Sequence, residues 1–279
     1  MRKKVDRADV AAELWPGVSI ELLQDLHLLT RGGDLNADSR RKVKQIRHLL
    51  GLLTPALDDV LARHPEPIVV DAGAGKSYLG FLLQETVLGP AGRGAVWSIE
   101  ARAELVAAAE DRARRLGHPT MRFVAGDIAT APVPDRVHLV TALHACDTAT
   151  DDTLLLAIRR GADHVAVVPC CQAEVARQLA AHRPDDDAAA ALCAHPWHRR
   201  ELGSHLTNVI RALALEARGY QVTVTELAGW EHSLKNELIL GRRVARFDRG
   251  AQARLDAVLA RFGVRPALIR GLDELGAAA

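Results

Sequence analysis

Three acidic residues, two glycines and a small set of histidines and cysteines carry the chemistry that this sequence offers. Asp71, Gly73 and Gly75 stand in Ile68-Val-Val-Asp-Ala-Gly-Ala-Gly-Lys-Ser-Tyr-Leu79, where a β-branched run meets an acid, two glycines and then an apolar helical pattern. Such a strand, turn and helix aims backbone N–H groups and the positive end of a helix at a ligand, and glycine lets the ligand reach the main chain. Glu100 closes a second apolar run, Ala95-Val-Trp-Ser-Ile-Glu100, where a carboxylate can accept two hydrogen bonds from a ribose diol. Asp127 follows a third run, Met121-Arg-Phe-Val-Ala125. The fourth, beginning at Val137, ends in His144, Cys146 and Asp147, and the fifth, beginning at His164, ends in Pro169-Cys170-Cys171. Imidazole and carboxylate groups at strand ends can orient an acceptor or take its proton.

Two other motifs are imitated and fail in different degrees. Gly75-Lys76-Ser77 looks like the end of a phosphate-binding P-loop, but that loop requires a glycine five positions before Gly75, where Val70 stands in the strand. A dinucleotide fingerprint requires a glycine three positions after Gly75, where Tyr78 stands, which weakens that reading without removing it.

The elements that must position these groups follow from periodicity. A short helix is predicted near Ile20–Leu29, ended by Arg31-Gly-Gly-Asp34. A better-defined helix starts at Ser39, with Val43, Ile46, Leu50, Leu53, Leu57 and Val60 at three- and four-residue spacing, Asp38 or Ser39 as cap, and Pro55 bending or splitting it. Its first turns hold Arg40, Arg41, Lys42, Lys44 and Arg47, either a solvated face or a patch that steers phosphate. Further helices are predicted over 103–116, 151–160 and 201–218, with a mobile insertion around Asp185-Asp-Asp-Ala-Ala-Ala-Ala191. Gln221–Leu227 and Glu237–Arg243 read as a closing antiparallel pair.

Composition sets the limits. The chain has 279 residues, 48% hydrophobic and 25% charged, enough for one large α/β domain with appendages. A net charge of +1 argues against a global field for nucleic acid or membrane, so any basic surface must be local. Neither a signal peptide nor a transmembrane span is expected, and four cysteines, two of them adjacent, suit a reducing cytoplasm better than a disulfide framework. No zinc site is expected from Cys146, Cys170, Cys171, Cys193, His195, His198 and His205, because no Cys-x-x-Cys pair occurs.

Taken together, Asp71-Ala-Gly-Ala-Gly-Lys-Ser-Tyr-Leu79, Leu143-His-Ala-Cys-Asp147, Pro169-Cys-Cys-Gln172 and His232-Ser-Leu-Lys-Asn-Glu-Leu-Ile239 resemble the class I S-adenosylmethionine (SAM) methyltransferases. The Cys-Cys element is also similar to that of tRNA 2'-O-methyltransferases carrying Cys-Cys-His-His, although Gln172 and Ala173 stand at the histidine positions here. The resemblance implies a seven-stranded Rossmann-like α/β sheet with helices on both faces. It implies a helical N-terminal extension over 1–62, a methyltransferase domain over 63–247 and a short helical tail over 248–279. It assigns the cofactor SAM, and its product S-adenosylhomocysteine (SAH), to Asp71, Gly73, Gly75, Lys76, Tyr78, Glu100, Ala101, Asp127, Ile128 and His144. In that assignment Asp127 meets the adenine amine and Ile128 its ring. His144 and Asp147 are expected as base, acceptor-orienting groups or cofactor support. Cys170 and Cys171 are expected either as core residues or, as in RNA cytosine-5 methyltransferases, as a thiolate nucleophile. Arg40, Arg41, Lys44, Arg47, Lys235 and Asn236 are the expected substrate contacts. The acceptor expected first is an RNA nucleotide, tRNA or rRNA; the alternatives are a protein side chain, a small metabolite, or a non-catalytic SAM- or nucleotide-binding module.

Overall fold

In the computed structural model the described residues are 17–30, 37–143, 145, 147–169, 172–182, 185–227 and 237–277. The strands form where the apolar runs were found: β1 (Ile68–Ala72), β2 (Ala95–Glu100), β3 (Met121–Ala125), β4 (Leu139–Leu143), β5 (His164–Val168), β6 (Tyr220–Glu226) and β7 (Glu237–Arg243). They make a seven-stranded mixed sheet in the order β3-β2-β1-β4-β5-β7-β6, with helices on both faces. The parallel strands β1 and β5 are buried almost throughout, which is why they read as continuous Val-rich runs rather than alternating ones. The chain divides into two compact units, one built mainly from Met1–Asp127 and the other from Pro134–Glu226 with Lys235–Ala279.

In the first unit, β1, β2 and β3 are parallel, with Asp71 opposite Ser98 and Glu100 opposite Ala125. Helix α1 (Ile20–Asp25) starts on Ser19, whose side chain caps Leu22 N–H, and is shorter than expected because His27 takes a positive φ of 56°. Helix α2 (Ala37–Arg63) is 27 residues long and runs through Pro55 unbroken, so the expected split does not occur. An interior proline costs about 3 kcal/mol. Burial of Leu53, Leu57 and Val60 on one face, each contributing about 1.5–3 kcal/mol, outweighs it. The buried seam takes Val43 and Leu49, while Leu50 and Ile46 sit at its margin, and the helix begins before both expected caps. Arg93 closes the other end by donating to the carbonyls of Leu61 and His64, both at 2.6 Å. Helix α3 (Tyr78–Leu83) continues as a π-helical segment (Gln84–Leu88) and a last turn, Gly89–Ala91. Helix α4 (Ala103–Leu116) matches its predicted limits and ends on Gly117 at φ 73°.

In the second unit β4 and β5 are parallel, β7 is antiparallel to β5, and β6 is antiparallel to β7. Helices α5 (Thr148–Arg159), α6 (Glu174–Ala181), α7 (Asp187–Cys193) and α8 (Pro196–Ala217) are followed, after the β6–β7 pair, by α9 (Arg249–Phe262) and α10 (Ala267–Ala277). The segment expected as a mobile insertion is helix α7, capped by Asp186 onto Ala189 N–H at 2.8 Å and tied by an Asp186–Arg261 ion pair at 2.9 Å. His195–Arg200 opens α8: His195 is its N-cap and Pro196 its first residue, the position where proline loses nothing.

Candidate active site

Asp71, Gly73, Gly75, Lys76, Tyr78, Glu100, Ala101 and Asp127 belong to the first unit, at the carboxyl ends of β1, β2 and β3, whereas Ile128 belongs to the second. Asp71 is 2% exposed near the end of β1. Gly73 and Gly75 have φ of 63° and 57°, and a Cβ added at Gly75 would meet nothing within 4 Å, so the main chain here faces open space. Ser77, buried and also left-handed at φ 58°, stands at the N-cap of α3 and shares a 2.6 Å hydrogen bond with Ser98 of β2. Ala74 N–H donates to Ile99 O at 2.9 Å, which fastens the turn to the tip of β2.

Glu100 reinforces that fastening. Its Oε2 accepts from Gly75 N–H at 2.8 Å, and its Oε1 accepts from Arg102 N–H at 3.1 Å and Arg102 Nε at 2.7 Å. Burial works against the charged form, but the bonds from Arg102 and Gly75 outweigh it and hold the carboxyl below its ordinary 4.5. A carboxylate has about four acceptor positions. The three donors leave one open on Oε2, and a swing of the exposed Arg102 side chain frees a second, the pair a diol requires. Asp127 is exposed after β3, Ile128 is buried, Ala101 and Lys76 are exposed and Tyr78 is half-buried. The Lys76 carbonyl accepts from Arg112 Nη1 at 3.3 Å, and Arg112 also binds Asp25 of α1 at 3.0 Å.

In the second unit, β4 and β5 end level, with Leu143 opposite Val168, and antiparallel β7 begins at the same edge. The register therefore brings the ends of three motifs to one side of the sheet. Asp147, expected as a base or an acceptor-orienting group, is otherwise engaged. Its Oδ1 accepts from Ala173 N–H at 3.1 Å and Glu174 N–H at 3.4 Å, and its Oδ2 pairs with Arg177 at 3.1 Å. Burial opposes its ionisation, but these bonds prevail and keep the carboxyl below the ordinary 3.8, which makes it a poor proton acceptor near neutrality. Its backbone is strained, at φ 48° and ψ −116°, a conformation costing about 1–3 kcal/mol in a non-glycine residue. His144, Cys146, Cys170, Cys171, Lys235 and Asn236 lie outside the described residues. Cys193 is buried, and burial pushes its thiol up, away from the thiolate. On α2, Arg40, Lys44 and Arg47 are exposed at i, i+4 and i+7, one face of the helix; the Arg41 side chain lies outside the described part.

Periodicity and motif spacing did not identify a buried polar network behind this edge. Arg211, 1% exposed on α8, donates to Asp151 at 2.7 Å, to Asn208 Oδ1 at 3.2 Å and to the Asp147 carbonyl at 2.8 Å. Asn208 also accepts from Gln172 at 3.3 Å and donates to Glu237 at 2.9 Å, while Ser204 donates to Gln172 at 2.7 Å. The spacing Ser204, Asn208, Arg211 was the available signal: a polar stripe at i, i+4 and i+7 inside a helix whose neighbours are Leu206, Ile210 and Leu215.

A sheet of this order is the Rossmann-like methyltransferase fold, and the glycine turn with acids at three successive strand ends is in keeping with SAM-dependent methyl transfer. Residues 41–178, just under half of the chain, match the family model described as a methyltransferase domain, and SAM is the cofactor of the class. No curated protein matches the chain. Among solved structures it is similar to magnesium protoporphyrin IX methyltransferase from Synechocystis PCC 6803 with bound SAH, at 13% identity and TM-score 0.48 over 86% of this chain and 100% of that one. It is also similar to an rRNA methylase from Streptococcus thermophilus, at 15% identity and TM-score 0.45 over 70% and 96% of the two chains. A SAM-dependent methyltransferase from Aquifex aeolicus matches at 14% identity and TM-score 0.39 over 85% and 97%.

Proposed function

We propose that this methyltransferase acts on an RNA nucleotide. The observation that carries the reading is the exposed row of Arg40, Lys44 and Arg47 on one face of α2, a local cationic surface in a chain of nearly balanced charge. The likeness of Pro169-Cys-Cys-Gln172 to tRNA methyltransferases supports the same acceptor class. Bound SAM supplies an electrophilic methyl group on a sulfonium. The glycine turn fits such a ligand, because Gly73 and Gly75 leave room for its methionine end to approach the main chain. Glu100 holds the ribose diol through the two acceptor positions identified above, and Asp127 accepts from the adenine amine. On the acceptor side, transfer requires an in-line nucleophile held at near-attack distance, and a base only where the acceptor loses a proton. With Asp147 engaged as a helix cap, His144 is the group to which we assign that proton.

Isothermal calorimetry with SAM, SAH and NAD tests the cofactor assignment. Wild-type protein binds SAM and SAH but not NAD, and Glu100→Ala weakens both by at least about tenfold, since two hydrogen bonds to a charged group are lost. Transfer of labelled methyl from SAM to unmodified tRNA or rRNA transcripts then tests the acceptor. Binding of SAM with labelling only of protein or small metabolites would overturn the RNA assignment, and binding of NAD alone would overturn the cofactor side.

A further inference from the structure

We infer that Arg211 and Asn208 are positioning residues for methyl transfer: one face of α8 fixes the three chain segments that carry the acceptor-side motifs. Each motif has one described anchor in the network. Asp147 ends Leu143-His-Ala-Cys-Asp147 and gives its carbonyl to Arg211. Gln172 ends Pro169-Cys-Cys-Gln172 and is held by Asn208 and Ser204. Glu237 follows Lys235-Asn236 and is held by Asn208 Nδ2. Three segments far apart in sequence are thus gathered on two side chains that are 4% and 1% exposed.

The chemistry of the network argues for position over stability. A buried ion pair such as Arg211–Asp151, with side chains 1% and 3% exposed, loses so much hydration that apolar residues of the same volume often serve stability equally well. Burial indeed pushes the Asp151 carboxyl up, against the pull of the guanidinium. What an apolar replacement cannot supply is the fork of donors. One edge of it holds Asp151, and the rest reaches Asn208 and the carbonyl of Asp147, which among the described residues of this unit is the non-glycine with a positive φ. Lysine could keep the charge but not the fork. All described members of the network belong to the second unit, and the glycine turn belongs to the first.

The inference rests on the methyltransferase reading with an RNA acceptor, and its test separates the two. Amide hydrogen exchange of the SAH-bound protein is compared for wild type, Arg211→Lys, the double variant Asp151→Leu/Arg211→Met, and Leu215→Ala, a cavity-forming control on the same helix. Alongside, single-turnover methyl transfer to unmodified tRNA transcripts and SAM affinity are measured at a temperature where each protein is folded. In Arg211→Lys and the double variant, exchange rises together at the described positions of the three segments, 145 and 147, 172–173 and 237–238, but not in 71–78. SAM Kd stays within threefold and the transfer rate falls at least tenfold; Leu215→Ala reproduces none of this. The inference is overturned if the three segments stay protected in both network variants, or if Leu215→Ala opens them equally. Should wild type bind SAM yet label no tRNA, the acceptor assignment fails while the exchange comparison still decides the inference. Should the double variant not fold, Arg211→Lys carries the test.

Discussion

Glu85 sits in the π-helical segment and holds α1 to the body of the first unit. Its Oε1 accepts from Ser19 Oγ at 2.8 Å and lies 3.0 Å from His118 Nε2, and its Oε2 accepts from Ser19 N–H at 2.7 Å. Burial alone would raise this carboxyl, yet the bonds from His118 and Ser19 prevail and hold it below the ordinary 4.5. A depressed folded-state value means that the unfolded chain binds the extra proton. The stabilisation is therefore complete above 4.5 and drains away as the pH falls through the lower folded-state value. Urea midpoints taken from about pH 6 down to about pH 3.5 should fall more steeply for wild type than for Glu85→Gln, whose cost of about 1–3 kcal/mol appears at neutral pH. Equal slopes would show that Glu85 is not part of the acid response. At this scale the placement of Asp71 and Glu100 at strand ends was legible, because each closes a short apolar run. Arg102 and Arg112 were not, since nothing in their local pattern says which acid or carbonyl a long flexible side chain will reach.

Two glycines within helices show how differently one residue type is used by the elements. Gly203 of α8 lies against α6, where an added Cβ would come within 2.7 Å of the Ala176 main chain. Gly203→Ala should therefore cost about 1–3 kcal/mol by forcing two helices apart. Gly51 of α2 is exposed with nothing within 4 Å of an added Cβ, so Gly51→Ala should stabilise by about 0.5–1 kcal/mol. Urea unfolding of the two variants checks both signs. Helix α4 and the strands were readable because their apolar positions repeat within a short window. The continuity of α2 through Pro55 was not, because it depends on what Leu53, Leu57 and Val60 meet in three dimensions. The helix at Asp187–Cys193 was missed for a similar reason: seven residues, four of them alanine, carry little apolar periodicity, and Arg261, the partner of its capping Asp186, lies far along the chain.

For the molecule as a whole, charge is nearly balanced, with 36 basic against 35 acidic residues, so attraction to RNA must come from a few contacts. If Arg40, Lys44 and Arg47 each neutralise one phosphate of a single strand, log affinity should fall against log salt with a slope of about −2. Arg40→Glu/Lys44→Glu should flatten that slope and weaken RNA binding while leaving SAM affinity within threefold, as fluorescence anisotropy and calorimetry would show. A slope unchanged by the double substitution would move the RNA surface elsewhere. Among the described residues no helix is long and apolar enough to cross a membrane.

The π-helical segment at Gln84–Leu88 has a consequence for chain editing. A π turn accommodates a residue more than an α turn in the same run of helix. Removing one residue there would let the run relax into regular α geometry, an apparent gain in backbone order. It would also turn one flank against the other by about 100°, and so swing Glu85 away from either Ser19 or His118. A deletion that erases no interacting side chain would thus unfasten α1, and the irregular turn persists as the phase-setter of that clamp.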